Sequence, residues 1–256
     1  MSDSHAVATT AQLGNAAGHG AGHDAAHPPY LRHHFVSMEQ QTETTSFGMW
    51  LFLLTEIMFF GGLFTAYLIY RNWYYPAFVA GSHQLNIVEG SFNTLLLICS
   101  SFTMAMGVWC AETKRSKGLV WSLIGTLILG LGFLGIKTDE YHEKYVKHHI
   151  PGHTFDWKGF TNPTPEEIAN GDKALAPDMA QKTEVYFSLY FAMTGMHALH
   201  MIIGIALLSG MLFKAIRGGY MDGHIAFVEN FGLYWHFVDI VWIFLFPLLY
   251  LISRHQ

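Results

Sequence analysis

Polar positions are scarce along most of this chain, and the apolar positions run on without the alternation of a strand or the one-sided stripe of a soluble helix. Five apolar stretches stand out: Phe47 to Tyr70, Ser91 to Ala111, Leu119 to Lys137, Thr183 to Phe213 and Phe231 to Ile252. A hydrocarbon core roughly 30 Å thick takes about 20 helical residues to cross, so each stretch predicts a transmembrane helix. The fourth exceeds what a crossing needs and is expected to tilt or to extend beyond the bilayer. The predicted fold is all-α, a polytopic bundle of five transmembrane helices over residues 47–256.

The remaining segments read differently. Residues 1–46 open with an Ala, Gly and His-rich stretch that has too few apolar positions to bury a core, and the tail is expected to be disordered or extended. It lacks the basic start, apolar centre and small-residue site of a cleavable signal, so the first span is expected to direct insertion. Residues 138–182 are expected to form a long loop, opening with a short amphiphilic helix that Pro151-Gly152 stops, and lying in solvent against a neighbouring subunit.

Composition agrees with a membrane protein: 51% of residues are apolar and only 13% charged, against roughly 25% charged in ordinary soluble domains. The charges that remain orient the spans. With the N-terminus inside, the short inner segments hold Arg32, Lys114, Arg115, Lys117, Lys214 and Arg217, and the short outer ones hold Arg71 and Arg254. The positive-inside rule therefore predicts a cytoplasmic N-terminus and an extracytoplasmic C-terminus in a bacterial inner membrane. No nucleic-acid partner is expected. Cys99 and Cys110 share one span and match neither a disulfide framework nor a haem-attachment motif.

Candidate chemistry lies inside the spans. Glu56 sits in the middle of the first, on a face with Phe52, Leu53, Phe59, Phe60 and Leu63. A charge at bilayer depth costs at least ~2.5 kcal/mol, so a carboxylate there is a functional candidate by default. Its structural alternative is a neutral carboxyl bonded across to another helix. The fourth span carries His197 and His200, and the fifth carries His236 and Asp239, each pair at i and i+3. Together the four could form one buried polar patch between adjacent helices. Interhelical hydrogen bonding or lipid contact suits them better than metal ligation, because a di-iron or haem–copper centre needs more inward histidines. The tail histidines His19, His23 and His27, and the loop histidines His142, His148, His149 and His153, could hold a divalent cation only weakly. Glycines and serines at Gly61, Gly62, Ser100, Ser101, Gly125, Gly130, Gly132 and Gly135 predict close helix packing. A stand-alone transporter or proton channel is the competing reading, but broken helices in matching halves are not evident.

Four pieces of the sequence resemble a known family. They are Gly48-Met-Trp-Leu-Phe-Leu-Leu-Thr-Glu56-Ile-Met-Phe-Phe60, Asn93-Thr-Leu-Leu-Leu-Ile-Cys-Ser-Ser-Phe-Thr-Met104, Gly195-Met-His-Ala-Leu-His-Met-Ile-Ile-Gly204 and Tyr234-Trp-His-Phe-Val-Asp-Ile-Val-Trp-Ile-Phe244. In this order they are similar to subunit III of the haem-copper oxidases, in its five-span bacterial form. The resemblance implies a subunit that binds no redox cofactor and no metal and holds no catalytic residue, while haem and copper reside in partner subunits. It would pack against the catalytic subunit I beside subunit II, hold phospholipids, and meet cytochrome c or quinol only indirectly. It would also sustain proton uptake and the durability of the oxygen-reducing centre. By the same resemblance Glu56 matches the family's carbodiimide-reactive glutamate, His197 and His200 its paired histidines, and His236 and Asp239 its Trp-His-Phe-Val-Asp motif. Quinol-type relatives often carry Asp at the Glu56 position, which points toward cytochrome c. An accessory subunit of a quinol oxidase or nitric oxide reductase is the alternative.

Overall fold

The computed structural model describes residues 37–152, 155–165, 168, 173–218 and 225–252. By its contacts the chain divides into residues 1–41 and 42–256. The tail histidines and His153 lie outside the described residues. Among the described residues the helices are, in order, α1 (Met38–Trp73), α2 (Tyr75–His83), α3 (Ile87–Glu112), α4 (Ser116–Val146), α5 (Pro177–Gln181), α6 (Thr183–Ile216) and α7 (Ile225–Tyr250), with a 3₁₀ turn at Lys158–Phe160. No strand occurs among the described residues. Five of the helices, with α5 continuing into α6, are long and apolar enough to cross a membrane.

Helices α3, α4, α6 and α7 close into a ring in which each touches the next. At its centre stands Trp235 of α7, fully buried. An indole fits there because two neighbours are glycines: a Cβ built on Gly130 or Gly204 would come 3.1 and 3.0 Å from the ring. Its Nε1 donates to Ser100 Oγ of α3 at 2.9 Å, and Trp242 Nε1 donates to Thr94 Oγ1 at 3.1 Å. Both indole donors are thus satisfied by side chains, as a ring surrounded by hydrocarbon requires.

Helix α1 lies outside the ring and meets it through large side chains. Phe60 touches His200 and Phe237 and Phe52 touches Tyr234, while Tyr67 touches Phe78 of α2. Among the described residues its glycines are not used for close packing: a Cβ on Gly61 or Gly62 would meet none of them within 4 Å. The close packing expected of these two positions, and of Gly135 in α4, which likewise meets none of the described residues, is therefore corrected, whereas Gly130 does serve it.

The boundaries depart from the sequence reading at three places. Helix α1 starts at Met38, so residues 38–46 are helical rather than extended; Ser37 Oγ accepts from Gln40 N at 3.1 Å and caps the start. The third span continues to Val146, so residues 138–146 belong to helix α4 and not to a loop. It ends where His148 takes φ 54°, with His149 N donating back to Lys144 O at 3.0 Å. This is the left-handed helix stop that glycine usually makes. The third place is α2, between the first two spans, which the sequence reading did not anticipate. Pro76 sits in its first turn, and Ala77, Phe78, Ala80, Gly81 and Ser82 are buried.

The segment after α4 folds onto its own bundle rather than lying in solvent. His149 stacks on Phe187 at 5.0 Å, and Phe155 and Phe160 pack around the same ring. Gly152 N donates to Glu184 at 2.9 Å, and Leu175 N donates to Phe160 O at 3.0 Å.

Candidate functional site

The carboxyl of Glu56 reaches across from α1 to α6. Its Oε2 lies 3.2 Å from Nε2 of His200, with side-chain exposures of 19% and 11%. The other ring nitrogen, Nδ1, lies 2.8 Å from the Met196 carbonyl. A carbonyl only accepts, so Nδ1 carries a hydrogen. Two arrangements then satisfy the pair. Either the carboxyl carries a proton and donates it to Nε2, or Nε2 carries it and donates to a carboxylate. One proton is shared between Glu56 and His200 in both. Tyr234 closes the site from α7, its hydroxyl donating to the His200 carbonyl at 2.8 Å.

The other three candidates do not join this pair. His197 and His200 leave α6 roughly 60° apart around the helix axis, because three residues turn it by about 300°. His200 therefore faces α1 while His197 points into the ring, between Phe133 at 5.4 Å and Trp242 at 5.2 Å. It is 1% exposed, and among the described residues neither ring nitrogen has a hydrogen-bond partner. His236 turns toward α3, where its Nδ1 lies 2.7 Å from Ser101 Oγ. Asp239 is 2% exposed, and among the described residues neither of its oxygens closes a hydrogen bond. The single patch expected from the two i, i+3 pairs is thus divided among three places.

A fourth polar site escaped the sequence reading. Lys137 and Glu140 of α4 form a buried ion pair, Nζ to Oε2 at 2.8 Å, with side-chain exposures of 5% and 1%. Glu140 Oε1 accepts from Tyr190 of α6 at 2.7 Å and from Tyr250 of α7 at 2.6 Å. Lys137 Nζ also donates to the Tyr250 hydroxyl at 2.6 Å and stands 4.6 Å from the ring centre of Trp242. One carboxylate thereby ties three helices at the end of the bundle where α7 finishes. Two further tyrosines hold the same end: Tyr67 donates to the Leu248 carbonyl at 2.6 Å and Tyr186 to the Leu249 carbonyl at 3.0 Å. Those carbonyls belong to the last turn of α7 and have no partner within the helix. Lys144 Nζ donates to the Gln84 carbonyl at 2.6 Å and fastens α4 to the segment after α2. The signal available in the sequence was the Lys137–Glu140 spacing on a helix carried past its apolar stretch.

Among the described residues, no three His, Cys, Asp or Glu side chains come together in a way that could hold a metal ion. His149, one of the loop histidines, is engaged with aromatic rings instead. The chemistry of the described sites is that of shared protons and fixed dipoles.

Comparison with known proteins gives these sites a context. A family described as Cytochrome c oxidase subunit III matches residues 176–254, which hold α6, α7, His197, His200, His236 and Asp239. The chain is 31% identical over 212 residues to a cytochrome c oxidase subunit 3 from Thermostichus vulcanus, covering 81% of this chain and 87% of that protein. It is 30% identical over 221 residues to a quinol oxidase subunit 3 from Bacillus subtilis, covering 84% and 92%. A cytochrome c oxidase subunit 3 from Sus scrofa is 28% identical over 212 residues, covering 80% and 68%.

Proposed function

Since this chain belongs to the subunit III family of the haem-copper oxidases, we propose that it is the non-catalytic third subunit of a proton-pumping terminal oxidase that reduces oxygen to water. In this role it packs against subunit I beside subunit II, in a bacterial inner membrane, with its N-terminus cytoplasmic and its C-terminus extracytoplasmic. Haem and copper sit in the partners, and phospholipids fill the remaining apolar surface of this chain.

The observation that carries the reading is the Glu56–His200 pair. A carboxyl at membrane depth that shares one proton with an imidazole, on a helix standing apart from the main ring, is built to take up and release that proton with little rearrangement. The rest of the bundle holds the pair in place: α6 is locked to α4 and α7 by Glu140, and α7 supplies Tyr234. Such an arrangement supports proton uptake by the neighbouring catalytic subunit and thereby its durability through turnover. Cytochrome c is the proposed donor, in line with the similarity to a cytochrome c oxidase subunit 3, and quinol is the alternative, in line with the similarity to a quinol oxidase subunit 3.

The test is purification of the chain from its native membrane together with whatever accompanies it, followed by an optical spectrum and oxygen uptake with each donor. Haem and copper in a separable partner support the reading, and the donor that sustains oxygen uptake decides between cytochrome c and quinol. A colourless chain that purifies alone would contradict it and favour an independent proton carrier.

A further inference from the structure

Trp242 of α7 stands where the four helices of the ring bring polar groups together. Its indole centre lies 5.2 Å from the His197 ring of α6 and 4.6 Å from Lys137 Nζ of α4, and its Nε1 donates to Thr94 of α3 at 3.1 Å. Asn93 precedes Thr94 in the chain, and Asp239 comes three residues before Trp242 on α7, just under one turn away. Asn93, His197 and Asp239 are 0%, 1% and 2% exposed. Among the described residues, neither polar atom of the Asn93 amide, neither ring nitrogen of His197 and neither oxygen of Asp239 closes a hydrogen bond.

A folded interior leaves few buried polar groups unmet, because each keeps the cost of leaving water without the return of a bond. Here three such side chains come from three helices around one indole, and their capacities complement each other. The amide offers two N–H donors and an acceptor, a neutral imidazole one donor and one acceptor, and the carboxyl further acceptors. Only a molecule that both donates and accepts can serve all three. A cation does not suit the place, since the Lys137 ammonium, held by Glu140 at 2.8 Å and Tyr250 at 2.6 Å, already faces the same indole. The Asp239 carboxyl speaks against an anion, and an apolar occupant would leave every one of these atoms unmet.

We propose that Asn93, His197 and Asp239 bind ordered internal water inside the ring of α3, α4, α6 and α7. A buried water makes about three hydrogen bonds to groups that otherwise have none, and these side chains supply them. The water ties α3, α6 and α7 along the stretch of α7 between the Trp235–Ser100 bond and the Glu140 network. It gives His197, which the Glu56 pair does not use, a partner in the interior. The site is independent of the electron donor and of the role of Glu56.

The test is a cryo-electron-microscopy map of the complex, purified with its native partners, at a resolution where single waters are seen. The expected result is a water peak about 2.7–3.2 Å from a His197 ring nitrogen and within the same reach of Asn93 or Asp239. The peak is lost in His197→Phe, whose ring cannot bond it, and kept in His197→Gln, which retains a donor and an acceptor. Should either variant not assemble, the parent map alone decides. The proposal is overturned if the three side chains bond directly to protein atoms with no water among them, or if the His197 nitrogens face only carbon. Contacts of about 2.0–2.3 Å would mark a metal ion and overturn it as well. A peak that persists unchanged in His197→Phe would show that His197 does not hold the water.

Discussion

Nε2 of His200 stands 3.2 Å from Oε2 of Glu56 while its Nδ1 is committed to the Met196 carbonyl at 2.8 Å, so the pair shares one proton between the carboxyl and Nε2. His200→Ala removes the side chain that Glu56 bonds to across the helices and leaves its carboxyl without that partner. The expected outcome in the purified complex is slower or less durable oxygen uptake with full haem content, measured by repeated turnover and an optical spectrum. Tyr234→Phe, which removes only the bond to the His200 carbonyl, has a smaller effect in the same direction.

Breaking the Lys137–Glu140 pair costs more than deleting it. Glu140→Gln leaves a buried ammonium without its counter-charge, and Lys137→Met leaves the carboxylate, each destabilising by roughly 3–5 kcal/mol. The double variant recovers much of that loss, because a buried pair often contributes little against an apolar replacement of similar size. Unfolding midpoints of the four proteins in one detergent form the double-mutant cycle that checks this. Additive losses would show that the two side chains are not coupled.

The tyrosine bonds to the end of α7 make a third expectation. Tyr67→Phe and Tyr186→Phe each free one terminal carbonyl and cost about 1 kcal/mol. Amide hydrogen exchange at the end of α7 rises in both variants, with exchange in the middle of α3 unchanged.

Glycine positions separate by what they touch. Gly204→Ala drives a methyl group toward the fully buried Trp235 ring, at 3.0 Å, and destabilises by about 1–3 kcal/mol. Gly61→Ala meets no atom of the described residues within 4 Å and leaves the stability of the isolated chain unchanged or slightly raised. A loss of thermal stability for Gly61→Ala only within the assembled complex would place a partner helix on that face.

The number and order of the spans were legible in the sequence because length and apolarity alone decide whether a helix can cross a bilayer. Glu56 was legible for the same reason, as a carboxylate where none is cheap. The grouping of the histidines was not. Spacing of i, i+3 places two side chains near one another on a helix, but α6 has α1 on one flank and α4 with α7 on the other, so the 60° between His197 and His200 sends them to different neighbours. The Glu140 network was hidden by the rule that a span ends at its first charges. Lys137 looked like the end of the third span and Glu140 like the start of a solvated segment, whereas each neutralises the other and the helix runs on to Val146. Its stop was hidden too, since His148 and Lys114 occupy the left-handed position that a reader expects glycine to mark.

The most direct single measurement is continuous oxygen uptake by the complex carrying Glu56→Gln, beside the parent, with haem content and subunit composition determined on the same samples. The amide removes the shared proton while keeping shape and a hydrogen bond to His200. The expected result is a complex with complete haem and subunits whose turnover is slower or decays sooner. A variant that turns over and endures like the parent would show that the pair is only structural, and one that fails to assemble at all would place Glu56 in the fold rather than in the function.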